Sequence, residues 1–232
     1  MSRTLRATVL LVSAVGLYQL PALANGGAAP SMPSSSSSSS MPSMSPEERA
    51  VLAYKSGDEH RIKGKKLEDE ASAKQGTEAD KTLAKARSEF EKSLKDFKNA
   101  AQLNPQLFQA YNGMGYAFRK TGDYTAALRM YDQAIKMAPG LYAEAIEYRA
   151  EAYLGLNRID DARQAYLDLF AADRKQADSL MIAMKKWIAA RHADAAGVDP
   201  AAITTFETWV GEREATAKQT RLMAIDGAHS TW

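Results

Sequence analysis

Between Phe108 and Pro139 the sequence FQAYNGMGYAFRKTGDYTAALRMYDQAIKMAP alternates bulky and very small side chains at helical spacing, the pattern of two helices packed closely together. Tyr111, Met114, Gly115 and Phe118 share one side of the first helix, and Gly115 marks a point of close approach. The break is Thr121-Gly122-Asp123: Gly122 can take the left-handed conformation that ends one helix, and Asp123 can cap the next. Tyr124, Ala127, Leu128, Tyr131, Ala134 and Ile135 then recur at three- and four-residue steps until Pro139 stops the second helix. Ala127 and Ala134 admit a neighbouring helix, and Tyr131 fills the space between them.

The same arrangement recurs on both sides. At an offset of 34, Phe90, Ser93, Phe97, Ala100 and Pro105 stand where the central unit has Tyr124, Ala127, Tyr131, Ala134 and Pro139. At an offset of 35, Ala150, Ala152, Tyr153, Asn157, Ala162 and Tyr166 match Gly115, Ala117, Phe118, Gly122, Ala127 and Tyr131. Leu169 replaces the second small residue there, and no Pro closes the unit. On these residues the chain resembles the tetratricopeptide repeat family. The resemblance implies an all-α fold, a short solenoid of antiparallel helix pairs over residues 46–174 that binds protein or peptide. The first pair is expected to be an elongated hairpin, since its first helix does not align at the repeat offset.

That hairpin is read from Ser45-Pro46-Glu47-Glu48, a cap with Pro and two acids in the first turn. The helix is expected to run to about Ala73, with Ala53, Gly57, His60, Gly64, Leu67 and Ala71 as its seam. A turn at Gln75-Gly76-Thr77, with Thr77 and Asp80 as a capping pair, leads into a helix over about 78–103 carrying Leu83, Phe90, Leu94, Phe97 and Ala101 on one face. Folding back places Phe90 near His60, Phe97 near Ala53 and Leu94 beside Gly57. Past the repeats, residues 175–218 read as capping helices: Leu180, Met181, Met184, Trp187 and Ile188 on one, then Ile203, Phe206, Trp209 and Val210 after the Asp199-Pro200 start. Residues 219–232 read as a mobile tail.

The first 24 residues have the form of a secretory signal: Arg3 and Arg6, an apolar run from Ala7 to Tyr18, and Ala22-Leu23-Ala24 as the cleavage site. An uncleaved signal anchor is the alternative. Cleavage implies a periplasmic location and leaves no transmembrane span. Residues 25–45, rich in Gly, Pro and Ser, read as a disordered linker. The 30 Lys and Arg face 28 Asp and Glu, and loss of Arg3 and Arg6 leaves 28 against 28. A chain so balanced lacks the basic surface that nucleic acid demands. With no Cys there is no disulfide framework and no lipid-modified cysteine.

No catalytic constellation stands out. His60, His192 and His229 lie in unrelated segments without metal-ligand spacing, so the sequence calls for no metal, no cofactor and no enzyme; His60 fits a packed histidine bonded to a carboxylate. In the family, the first helix of each pair lines a concave groove where partners bind. That resemblance assigns a partner-binding groove to Gln109, Asn112, Tyr116, Arg119 and Lys120 in the central unit and to Glu144, Glu147, Tyr148 and Glu151 in the next. The face is mixed in sign, basic beside acidic, and the alternative is a solvated surface with local ion pairs. It lacks the Lys, Asn and Arg set of the family's clamp for a terminal carboxylate, which points instead to a segment of mixed charge. A second candidate surface is the hairpin, with KGKKLEDE at 63–70 and Lys81, Lys85, Lys92, Lys95 and Lys98. The oligomeric state and the partner itself are not written in these residues.

Overall fold

The computed structural model describes residues 44–229, all helix and connecting turn among those residues. The expected signal segment and nearly all of the linker lie outside them. The helices are α1 (Pro46–Ser72), α2 (Gly76–Leu103), α3 (Phe108–Thr121), α4 (Tyr124–Met137), α5 (Ala143–Gly155), α6 (Ile159–Ala172), α7 (Arg174–Ala193) and α8 (Pro200–His229). Each packs against the next, and α5 also packs against α7, so the first helices of successive pairs lie side by side. None of the described helices is long and apolar enough to cross a membrane.

The turns within the second and third pairs follow from one left-handed residue each. Gly122 has φ of 92° and Asn157 has φ of 57°. In both, the next amide reaches back to close the finished helix: Asp123 N donates to Phe118 O at 2.9 Å, and Arg158 N donates to Tyr153 O at 2.9 Å. Asp123 also caps α4 by accepting from Ala126 N at 2.9 Å. The aligned positions Ser93, Ala127 and Ala162 are each fully buried, as are Phe97, Tyr131 and Tyr166 at 1% exposure or less. Three equivalent rings therefore form the spine of the array.

The hairpin α1–α2 departs from the expected register by one helical turn. Phe97 lies against Gly57 and Phe90 against Gly64, not against Ala53 and His60. A Cβ at Gly57 would sit 2.8 Å from the Phe97 ring and one at Gly64 2.5 Å from Phe90, so only glycine leaves room at these levels. The buried seam of α1 is thus the strict heptad Ala50, Gly57, Gly64 and Ala71. Ser93 Oγ, at the small position, donates to Gly57 O at 2.8 Å. Leu94 is rotated away to the half-buried flank, and Leu83 is 48% exposed. Thr77 and Asp80 form no cap, because α2 already begins at Gly76 without a side-chain cap; the capping box belongs to Ser45 and Glu48 on α1.

Forty positions separate Gly57 from Phe97, whereas 16 separate Gly115 from Tyr131 across the equivalent contact. The 24 extra residues, 12 per arm, extend the hairpin by about 18 Å at 1.5 Å per residue. Glu89 secures it: its carboxylate accepts from Lys92 at 2.9 Å, lies 3.1 Å from Lys63, and meets His60 Nδ1 at 2.6 Å. Lys92 first, then His60 and Lys63, hold its pKa down to about 2 against the effect of burial. A depressed carboxylate stabilises the fold above its unfolded pKa and loses that contribution as pH falls toward the folded one. Glu89→Gln is expected to cost about 1–2 kcal/mol at pH 7, and urea midpoints should show the difference shrinking from pH 4.5 toward pH 2.

The end of the array is closed by α7 and α8. Leu180, Met184, Trp187 and Ile188 meet Ile203, Phe206 and Val210 over α5 and α6, and Trp187 Nε1 donates to Leu154 O at 2.7 Å. The last helix does not stop near Lys218. Ala217 is buried and Arg221 pairs with Asp178 at 3.2 Å, so docking continues beyond that point and the backbone stays helical to His229.

Candidate functional site

The nine residues assigned to the groove do come together along the facing sides of α3 and α5, yet they do not form an open face. Asn112, Tyr116, Arg119 and Glu147 are buried at 7%, 5%, 8% and 3% exposure. Gln109, Lys120, Glu144, Tyr148 and Glu151 are half-buried. The alternative of a face with local ion pairs holds for Arg119 and Glu151 but not for exposure, because adjacent first helices approach closely enough for these side chains to satisfy one another.

Arg119 is the hub. Its guanidinium pairs with Glu151, its Nε donates to the Tyr131 hydroxyl at 3.4 Å, and it lies 5.0 Å and 5.2 Å from the ring centres of Tyr116 and Tyr148. Burial opposes the charge, but Glu151 and then Tyr131 outweigh it, so the pKa of Arg119 is raised. Burial and the proximity of Arg119 and the acids act on the phenols too, and desolvation pushes Tyr116 up to about 12. The two rings Tyr116 and Tyr148 meet edge to face at 5.2 Å.

Glu147 carries the opposite perturbation. Burial, then its hydrogen bond to Glu151 and the charge there, push its pKa up to about 9 from 4.5, partly offset by Arg119. The shift favours the protonated carboxyl, the form able to donate to Glu151 beside the pairs Glu151–Arg119 and Arg119–Tyr131. The folded protein holds this proton where the unfolded chain has released it, so stability falls as pH rises from about 4.5 toward 9. Glu147→Gln keeps a donor without the proton cost. Thermal melts should show it equal to the parent below pH 4.5 and more stable by on the order of 1–2 kcal/mol at pH 7.

A stripe on α1 supplies groove residues that the repeat pattern missed. Tyr54, Asp58, Arg61 and Glu68 face α3 and α5: Arg61 pairs with Asp58 at 2.7 Å and lies 5.3 Å from the Tyr116 ring centre, and Glu68 pairs with Lys120 at 2.6 Å. Their spacing of four, three and seven, beside the glycine heptad, is the signal that could have located them.

Two cavities open along the groove. One, of about 70 Å³, lies between Tyr54, Asp58, Arg61, Asn112, Tyr116, Glu144 and Tyr148. The other, of about 350 Å³, is lined by Glu68, Arg119, Lys120, Glu151, Trp187 and Arg191. The first sets two carboxylates against one guanidinium, the second three cations against two carboxylates. Residual charge thus changes sign along the helices, over the eight residues from Asn112 to Lys120, and not from one repeat to the next as the sequence implied. Arg191 has no ion pair among the described residues, and its Nε is buried without a partner.

His60 meets Glu89 as a packed histidine, and His192 meets Glu207 at 2.9 Å on the surface. Among the described residues no group of three or more His, Asp and Glu is placed to hold a metal. Lys81, Lys85, Lys92, Lys95 and Lys98 of the hairpin are exposed, and Lys81 and Lys92 pair within their own helix with Glu78 and Glu89.

Paired helices, a spine of rings and a groove lined by the first helices define a short helical solenoid. Residues 82–142 and 118–185 each match a family model described as tetratricopeptide repeat. Together the two matches span residues 82–185, the region of the chain that is similar to tetratricopeptide repeats. No curated protein matches it.

Proposed function

We propose that the chain is a non-catalytic interaction module, an exported assembly scaffold of the cell envelope, that docks an extended segment of a protein partner along α3 and α5. The supporting observation is the groove itself: the Arg119 network fixes its walls before any partner arrives, so the receptor side loses little entropy on binding. The opposite residual charges of its two cavities, about 12 Å apart at 1.5 Å per helical residue, suit a segment of mixed charge whose ionic residues stand three or four positions apart. Export rests on the form of residues 1–24.

Truncating Tyr116, Arg119 and Glu147 together to alanine would disrupt the fold along with the groove, because all three are buried. The half-buried rim is the better probe. Gln109→Glu with Lys120→Glu should abolish capture of the partner while keeping the helical spectrum and lowering the melting point by only a few degrees, the cost of losing the pair with Glu68. Replacing residues 72–81, the exposed or half-exposed hairpin tip, by a short glycine turn should leave capture intact; the reverse outcome moves recognition to the hairpin. N-terminal sequencing of the mature protein decides between cleavage after Ala24 and a retained anchor.

A further inference from the structure

Asn112 is 7% exposed, and its Oδ1 has no hydrogen-bond partner. Its orientation is forced. Nδ2 donates to Glu144 Oε2 at 3.3 Å, so exchanging the amide ends would set oxygen against carboxylate. Asn112 lines the small cavity, and its oxygen is a buried acceptor that lacks a donor, which costs about 1–3 kcal/mol when left unmade.

The surroundings specify the donor. Glu144 already accepts from Asn112 Nδ2 and from the Tyr148 hydroxyl at 3.2 Å, and Asp58 is spent on Arg61. One negative charge, that of Glu144, remains without a cation in the cavity lining. Tyr54, Tyr116 and Tyr148 complete the aromatic part of the lining. The volume of about 70 Å³ admits an ammonium head, comparable to a water molecule at about 30 Å³, together with its last methylene.

We propose that this cavity is a subsite for a primary ammonium group of the partner, either a lysine side chain or a free N-terminus. The inference rests on the groove reading and names the chemistry of one of its contacts. The ammonium donates to Asn112 Oδ1 and balances Glu144.

The test is a titration of the isotope-labelled full chain followed by the side-chain amide signals of Asn112. Three probes are added in turn: Nα-acetyl-lysine amide, alanine amide with its free amine, and Nα-acetyl-norleucine amide. The expected result is a saturable shift with one or both amines and none with the norleucine compound, and at least a tenfold weaker binding in Glu144→Gln at unchanged melting point. A response to the lysine compound alone assigns the side chain, and a response to alanine amide alone assigns the terminus; both support the subsite. No response to either amine, or an equal response to norleucine, overturns it and leaves a water-filled notch. Partner capture that is lost with Gln109→Glu and Lys120→Glu but untouched by Glu144→Gln would remove the ammonium site while sparing the groove.

Discussion

Replacing Phe97 by alanine will lower the stability of the fold by about 3–5 kcal/mol, the range for removing a fully buried ring. Phe97 is 1% exposed and is held from three sides: against Gly57 in its own hairpin, against Gly113 of α3, where a Cβ would lie 2.5 Å away, and against the Tyr54 ring at 5.4 Å. The two glycines leave no side chain that could collapse into the vacated space, so the cavity persists. Chemical denaturation should give this loss with a melting point lower by on the order of 10 °C. Leu94→Ala, one turn away on the half-buried flank, should cost about 1 kcal/mol or less. Similar losses for the two would mean that the glycine-cleared seat does not hold the hairpin to the array.

The second large effect is expected at Arg119. Arg119→Met should cost about 3–5 kcal/mol, because it strands Glu151 beside Glu147 with no buried cation to balance it. Burial makes the loss nearly independent of salt. Removing the acid as well, in Arg119→Met with Glu151→Gln, should recover at least half of it, since the penalty lies in the unpaired charge. The pair Lys120–Glu68, about one quarter exposed on each side, is the control: Lys120→Met should cost about 1 kcal/mol or less. If the double variant recovers nothing, the Arg119 side chain acts by packing alone.

Where one residue type answers one geometric need, the sequence was readable. Gly122 and Asn157 marked the left-handed turns, Asp123 marked a cap, and the ring spine at Phe97, Tyr131 and Tyr166 followed from repeat spacing. The register of the α1–α2 hairpin was not readable in the same way. Alanine, glycine and histidine all look small enough for a seam on paper, and only the clearance of under 3 Å at Gly57 and Gly64 separates them. The residues assigned to the groove do lie together along α3 and α5, but their exposure was not readable. Helical spacing tells which side a residue occupies, whereas the burial of Arg119 and Glu147 depends on how near α3 and α5 approach, which no local pattern encodes. The contribution of α1 was missed because the groove was sought only in helices that obey the repeat offset, and this helix reaches it through an insertion.

The most direct measurement is site-specific photo-crosslinking in the native host. A photoreactive residue is placed at Gln109 or Lys120 on the groove rim, at Gln133 on the outer side of α4, or at Lys81 on the hairpin. The account predicts that the two rim positions crosslink to one short segment of a partner, that mass spectrometry maps an acidic and a basic residue within that segment three or four positions apart, and that the outer positions give nothing. Crosslinks from Gln133 or Lys81 to that partner, with none from Gln109 and Lys120, would contradict it.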